Sequence, residues 1–152
     1  MLRQAQLRYP ADFWINHYLA HALSDPAEAS GFFRAALALR PQSAGLYYSL
    51  GVTLSRAKKL PEAVDAFRRA VELKPSAGTY EVMARTLRDQ GKLAEAVDAF
   101  RKAIELKPNR AIVYHELGYA LYLHKKLPDA VDAYRKAIEF GDAGAYFDLG
   151  NA

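Results

Sequence analysis

Apolar residues recur at helical spacing in a stretch that occurs three times along the chain. Tyr47, Leu50, Gly51 and Leu54 follow the order i, i+3, i+4 and i+7, which places them on one face of a helix. The same spacing returns as Tyr80, Met83, Ala84 and Leu87, and again as Tyr114, Leu117, Gly118 and Leu121. The pattern predicts three equivalent amphipathic helices.

A second apolar pattern follows each of these helices. Alanine and aromatic residues share helical spacing in it, as Ala63, Phe67 and Ala70, as Ala96, Phe100 and Ala103, and as Ala130, Tyr134 and Ala137. Pro61 and Pro128 fall where this helix should begin, a position that tolerates a missing N–H, and Pro75 and Pro108 follow its end. Each repeat is therefore predicted to be a helical hairpin, in which small residues such as Gly51 let the two helices approach closely.

The period of the repeat is set by its closing prolines. Pro10, Pro41, Pro75 and Pro108 are spaced by 31, 34 and 33 residues, and Asp142 stands where the next proline would fall. Periods of this length are typical of arrays of helical hairpins.

At these positions the chain resembles the tetratricopeptide-repeat (TPR) family. The family pattern of aromatic, Leu-Gly, Ala, aromatic and Pro is matched by Tyr47, Leu50, Gly51, Ala63, Phe67 and Pro75. Leu54 in a usually aromatic place and Ala84 in place of glycine depart from it conservatively. The resemblance implies an all-α fold, a TPR helical-hairpin solenoid that winds into a right-handed superhelix.

We expect residues 1–152 to form a single TPR array. Its predicted parts are a partial second helix at 1–10, a short first repeat at 13–41, full repeats at 44–76, 77–110 and 111–142, and a partial first helix at 143–152. The short repeat aligns if its deletion lies in the turn at Ser24-Asp25-Pro26, with Asp25 as N-cap and Pro26 as the first helical residue.

Both ends fall inside a repeat, which predicts a segment of a longer, multidomain protein. The stretches at 12–16 and 33–41 are similar to TPR tails of large bacterial serine/threonine kinases. No kinase motif is present in the sequence, so any catalytic domain would lie outside it.

The TPR resemblance also implies a function, because first helices line a concave groove in this family. We expect the chain to be a protein–protein interaction scaffold that binds a peptide or protein partner there. Residues at the groove positions change from copy to copy while the packing residues repeat, as expected of a recognition surface. The predicted partner-binding residues are Trp14, His17, His21, Tyr48, Val52, Glu81, Arg85, Arg88, His115, Tyr119 and Tyr122, with Tyr18, Ser49, Arg56, Ile112, Glu116, Phe147, Asp148 and Asn151 beside them.

Charge modifies this interpretation little. Lys and Arg number 21 against 17 Asp and Glu, a formal net charge of +4, which is too small to indicate a polyanionic partner. Acid and base stand four residues apart on the second helices, as Asp65 and Arg69, Asp98 and Lys102, and Asp132 and Lys136. This spacing predicts a solvated, salt-bridged face. RNA binding is consequently the less favoured alternative, and self-association through the cut ends is the other.

Candidate chemistry is sparse. Cysteine is absent, and neither a catalytic triad nor a glycine-rich phosphate loop is present, so we expect no enzymatic activity and no cofactor. His17 and His21 lie four apart on one helix face, a spacing that can hold a metal ion, but no third ligand accompanies them and a binding-face role is favoured. No apolar run is long enough to span a bilayer, and the lack of cysteine fits a reducing, cytoplasmic location.

Overall fold

The computed structural model describes residues 1–152 and consists of ten α-helices. They are α1 (Leu2–Arg8), α2 (Phe13–Ala22), α3 (Pro26–Leu39), α4 (Ala44–Arg56), α5 (Leu60–Leu73), α6 (Ala77–Asp89), α7 (Leu93–Leu106), α8 (Ala111–Leu123), α9 (Leu127–Glu139) and α10 (Ala145–Asn151). The predicted all-α fold is confirmed. None of the helices combines the length and apolarity needed to cross a membrane.

The helices group into two compact units, which are described separately below. Unit 1 is Met1–Pro75 and unit 2 is Ser76–Ala152. In unit 1, α2 packs against α3 and α4 against α5, with α1 beside α2. In unit 2, α6 packs against α7 and α8 against α9, and α10 packs on α9. Each unit therefore contains two complete hairpins and one additional short helix.

Helix starts follow the local sequence. Asp12 caps α2, accepting a hydrogen bond from the Ile15 N–H, and Asp25 caps α3, accepting from the Ala27 N–H at 3.0 Å. Pro26 opens α3, as predicted for the shortened turn of the first repeat. An N-cap carboxylate satisfies a backbone donor that has no partner within the helix, so the short connection still supports a well-formed start.

In two hairpins, α4 with α5 and α8 with α9, a glycine faces an aromatic ring. A Cβ added at Gly51 would lie 2.6 Å from the Phe67 ring, and one added at Gly118 would lie 2.7 Å from the Tyr134 ring. Both rings are buried. The glycines are therefore required by the close approach of the two helices, as the repeat pattern predicted.

The turn inside the longer hairpins uses one left-handed residue. Gly91 adopts φ +76°, and Lys58 and Lys125 adopt φ 60° and 63° at the equivalent places. Left-handed residues commonly end helices, and glycine adopts this conformation at the lowest cost. The lysines show that the hairpin geometry is retained even where a side chain makes it less favourable.

The outer faces of the second helices carry ion pairs, but with a different spacing from the one predicted. Arg69, Lys102 and Lys136 bind a glutamate three residues later, at 2.6, 2.8 and 2.6 Å respectively. Asp65 lies 3.5 Å from Arg68. Asp98 and Asp132 likewise lie 3.9 and 3.7 Å from Arg101 and Arg135. The predicted salt-bridged face is therefore present, with partners three residues apart instead of four.

Candidate functional site

In unit 1 the first helices α2 and α4 border a cavity of about 270 Å³. Its polar lining consists of His21, Ser24, Tyr48, Ser49, Thr53 and Arg56. Val52, Phe33 and neighbouring apolar residues supply the rest, and no acidic residue lines it. Three of the predicted partner-binding residues, His21, Tyr48 and Val52, thus lie together here.

Aromatic rings continue along α2. The Trp14 and His17 ring centroids are 6.2 Å apart with their planes nearly perpendicular, and those of His17 and His21 are 4.7 Å apart. The Arg40 guanidinium lies 3.6 Å from the centroid of Phe13 and 5.1 Å from that of Trp14. Trp14 is 54% exposed, so a large apolar surface with a cationic neighbour faces solvent.

His17 lies in an environment that disfavours its charged form. Its Nδ1 is buried and has no hydrogen-bond partner in the protein. Burial lowers the pKa of His17 below its ordinary value, and the neighbouring His21 and Arg40 lower it further. The pair of histidines has no carboxylate beside it, and no group of three His, Asp or Glu residues anywhere in the protein is placed to hold a metal ion.

In unit 2 the residue of α6 that aligns with His17 is an acid, Glu81. Glu81 is only 5% exposed, and its two carboxylate oxygens accept hydrogen bonds from Arg85 and Arg110. Glu81 was predicted as a partner-binding residue, yet its carboxylate has little surface left for a ligand. The side chain instead orients Arg85, whose guanidinium remains half-exposed.

Arg88 and Tyr119 meet on the same face of unit 2. The Arg88 guanidinium lies 5.3 Å from the Tyr119 ring centroid, a cation–π distance. Arg88 also pairs with Glu116 on α8 and lies 3.5 Å from Asp89. Arg88, Ile112, His115, Glu116, Tyr119 and Asp148 line a cavity of about 330 Å³.

His115 is held between two carboxylates. Its Nδ1 lies 2.9 Å from Asp142 Oδ2 and its Nε2 lies 2.6 Å from Asp148 Oδ2. Burial alone would lower the pKa of His115, but the bonds to Asp148 and Asp142 outweigh it and raise the pKa above its ordinary value. Only the imidazolium donates to both acids, so protonation ties α8 to α10 and to the turn before it.

Several contributors to these sites were not predicted. Asp142 was assigned only to the place of a closing proline, and Arg110 and Tyr134 were given no role at the surface. Asp142 lies 27 residues from His115, and Arg110 lies 29 residues from Glu81. One signal was available: an acid replaces proline at the end of the last complete repeat, which removes a rigid residue and adds a hydrogen-bond acceptor.

Two family models match the chain. The one described as tetratricopeptide repeat matches residues 18–78, and the one described as TPR repeat matches residues 84–125. The chain is a TPR protein, in agreement with the hairpins and with the glycine–aromatic contacts. This family is usually non-catalytic.

Among curated proteins, the peroxisomal targeting signal receptor of Eremothecium gossypii is 38% identical over 58 residues, which is 38% of this chain and 10% of that protein. The chain thus spans about a tenth of the length of this relative.

Two solved structures support the fold. The crystal structure of MamA is 24% identical, with a TM-score of 0.85 over 95% of this chain and 87% of that one. YrrB, described as a TPR protein with an unusual peptide-binding site, is 21% identical, with a TM-score of 0.79 over 98% and 80% of the two chains. These relatives give no support to the closer resemblance to kinase tails, which stays a prediction.

Proposed function

We propose that the chain is a protein-interaction module that binds a peptide or protein segment on the first-helix surfaces of its units. The observation that carries this proposal is the distribution of exposed aromatic side chains. Most of them lie on first helices, as Trp14, Tyr18, Tyr48, Tyr119 and Tyr122 and as Tyr146 and Phe147 of α10, whereas Tyr9 and Phe140 follow the ends of α1 and α9. The outer faces of the second helices carry ion pairs instead. Aromatic residues and arginine are enriched among the residues that dominate binding energy at protein interfaces.

The cavities favour the same surfaces. Tyr48 lines the cavity of unit 1, and Arg88 and Tyr119 line a cavity of unit 2. The peptide-binding description of YrrB makes a peptide ligand a reasonable first choice. On this proposal the chain serves as the binding part of a larger protein in the cytoplasm. RNA is less favoured, since the formal net charge of the whole chain is only +4.

The test begins with selection of peptides from a random display library on the intact chain. A selected peptide is then titrated against Tyr48→Ala and Tyr119→Ala, with circular dichroism melts as the folding control. At least one of the two changes should weaken binding by about 1–2 kcal/mol, as expected of a tyrosine anchor. Arg101→Ala and Arg135→Ala, on the outer face, should leave the affinity unchanged. Binding that survives the tyrosine changes but fails on the outer-face changes would contradict the proposal.

Self-association is the second candidate, and one observation favours it. Tyr146 and Phe147 on α10 are 63% and 77% exposed, a large apolar surface on a short helix. A second copy of the chain could cover it. Light scattering over a range of concentrations tests this: a constant monomer mass at the highest concentration would exclude it, and a mass that falls to the monomer in Phe147→Ala would support it.

A further inference from the structure

We propose that unit 2 contains a pocket for the cationic side chain of a peptide ligand, an inference that rests on the peptide-binding function proposed above. The pocket has a volume of about 250 Å³ and is lined by Tyr119, Tyr122, Tyr134, Asp148 and Asn151. Its walls are therefore three phenol rings, one carboxylate and one amide. Rings and a carboxylate around one small space are suited to an ammonium or guanidinium group.

The hydrogen-bonding groups of the pocket include free acceptors. Asp148 uses Oδ2 to accept from His115, which leaves its Oδ1 without a donor. The Asn151 amide nitrogen donates to the Phe147 carbonyl at 3.1 Å, so the amide oxygen also remains available. No cationic residue lines the pocket. A basic ligand would thus supply the missing donors.

The surrounding charge has the sign that attracts a cation. Glu116 contacts Arg88, and Asp142 contacts His115, which also binds Asp148. The three acids therefore lie near one another. Arg88 is already neutralised by Glu116, while Lys125 lines a separate neighbouring cavity with Tyr122 and Asn151. Even with His115 protonated, the acids around it outnumber the bases.

The pKa of Tyr134, the buried tyrosine of the pocket, is affected by the same negative charge. Burial raises the pKa of Tyr134 to about 12, and the negative charge of Asp148 contributes in the same direction. The phenol therefore stays neutral at physiological pH, with an electron-rich ring and an oxygen that can accept a hydrogen bond.

A cation–π contact of the proposed kind already exists within unit 2. The Arg88 guanidinium lies 5.3 Å from the centroid of Tyr119. Tyr119 lines both the cavity that includes Arg88 and the pocket that has no cation. Tyr119 thus contacts a cation of the chain in one cavity and also lines the neighbouring pocket, which has no cationic residue in its lining.

The pocket is peculiar to α8 and is not a general feature of the repeat. Residues equivalent to Tyr119 are Val52 on α4 and Arg85 on α6. The places equivalent to Tyr122 hold Ser55 and Arg88. Of these three first helices, only α8 therefore has tyrosines at both places, and Asp148 reaches them from α10.

The experiment is an NMR titration of the intact, isotope-labelled chain with small probes. Nα-acetyl-arginine amide and Nα-acetyl-lysine amide carry the two natural cations, and Nα-acetyl-citrulline amide is the neutral isostere of the first. We expect both cations, or one of them, to shift the amide signals of Tyr119, Tyr122, Asp148 and Asn151, whereas citrulline should shift none. The stronger of the two cationic probes identifies the preferred side chain.

Substitutions test whether binding of the cationic probe depends on the residues that line the pocket. Asp148→Asn and Tyr122→Leu should each weaken the cationic probe about fivefold to tenfold, the range expected for loss of a charge or of a cation–π contact. Asp132→Asn, an exposed acid on the outer face of α9, makes the same charge change and should have no effect. Asp142→Asn removes one of the two carboxylates that bind His115 but leaves the pocket lining intact. The affinity for the cationic probe should therefore change by no more than about twofold.

Citrulline shifting the same signals as arginine, or unchanged affinity in both pocket variants, would overturn the inference. The two proposals fail separately. A selected peptide that binds without any basic residue overturns the cation pocket and leaves the interaction module standing. If the cationic probes bind at the pocket but the chain selects no peptide, the interaction module is overturned and the cation pocket stands.

Discussion

The two units place a histidine at the same position of a first helix and give it opposite surroundings. His17 of unit 1 lies among His21, Arg40 and aromatic rings, with Nδ1 unpaired. His115 of unit 2 binds a carboxylate at each ring nitrogen. The first favours the neutral imidazole and the second favours the imidazolium. Equivalent positions of the repeat can therefore have opposite electrostatic surroundings.

The two units also differ in net charge. Unit 1 has ten Lys and Arg against six Asp and Glu, whereas unit 2 has eleven of each. The excess positive charge of the chain thus belongs entirely to unit 1. Its cavity has no acidic lining, while the cavities of unit 2 include Glu116 and Asp148. The packing residues are shared, so the difference between the units lies in the residues that the repeat leaves free to vary.

The first prediction tests whether the packing frame really is equivalent in the two units. Ala63 and Ala130 are fully buried at the same place of a second helix, so Ala63→Leu and Ala130→Leu should each overpack a hairpin and cost about 1–3 kcal/mol. Urea unfolding measures the loss. Arg135→Ala, on an exposed outer face, should stay within about 0.5 kcal/mol. Equal losses in the buried and exposed classes would contradict the assigned helix faces.

The second prediction addresses the buried acid that only unit 2 contains. Glu81→Gln should destabilise the chain by about 1–2 kcal/mol, because the hydrogen bonds from Arg85 and Arg110 lose their charged acceptor. Both arginines remain about 40% exposed, and their access to water limits the cost. Glu105→Gln, on the outer face of α7 and paired with Lys102, is the matched control and should change unfolding by no more than about 0.5 kcal/mol. An equal cost in the two variants would mean that Glu81 is an ordinary surface residue.

Much of the fold could be predicted from the sequence because packing depends on local, repeated residues. A glycine and an aromatic residue recur at fixed places in two copies, as Gly51 with Phe67 and as Gly118 with Tyr134, and the structure brings each pair into contact. Asp25 and Pro26 likewise fix the start of α3 through groups one or two residues away. Interactions of this kind leave a periodic trace that self-alignment detects.

The candidate sites were predicted less completely because their key contacts join distant, non-repeated residues. Glu81 occupies a first-helix position that was expected to face the groove, yet Arg110, beyond the next helix, helps to cover it. Asp142 and Asp148 reach His115 from 27 and 33 residues away. Neither contact has a counterpart in another repeat, so no periodic signal could reveal it. Helical spacing assigns a residue to one face of its helix, but it carries no information about a partner on a distant segment.

The last prediction uses pH to compare the two histidines directly, and it concerns the smallest effect because both side chains keep contact with solvent. The folded-state pKa of His115 is raised, so its stabilising contribution is complete below the unfolded value of about 6.5 and is lost as pH rises through the folded pKa. The folded-state pKa of His17 is lowered. The unfolded chain then binds more protons at that site, and stability is lost as pH falls below about 6.5.

The measurement is urea unfolding at about pH 5.5 and about pH 8, on either side of the ordinary histidine pKa. His115→Gln should lose more stability relative to the unmodified chain at the lower pH, and hydrogen exchange in α10 should accelerate there because Asp148 is released. His17→Gln should compare better with the unmodified chain at the lower pH than at the higher one, since it removes a site that resists protonation. His124→Gln, at the C-cap of α8, is the control and should show the same difference from the unmodified chain at both pH values. Parallel pH responses of the first two variants would mean that the units do not differ in this way, whereas opposite responses would assign the contrast to Asp142 and Asp148, which His17 lacks.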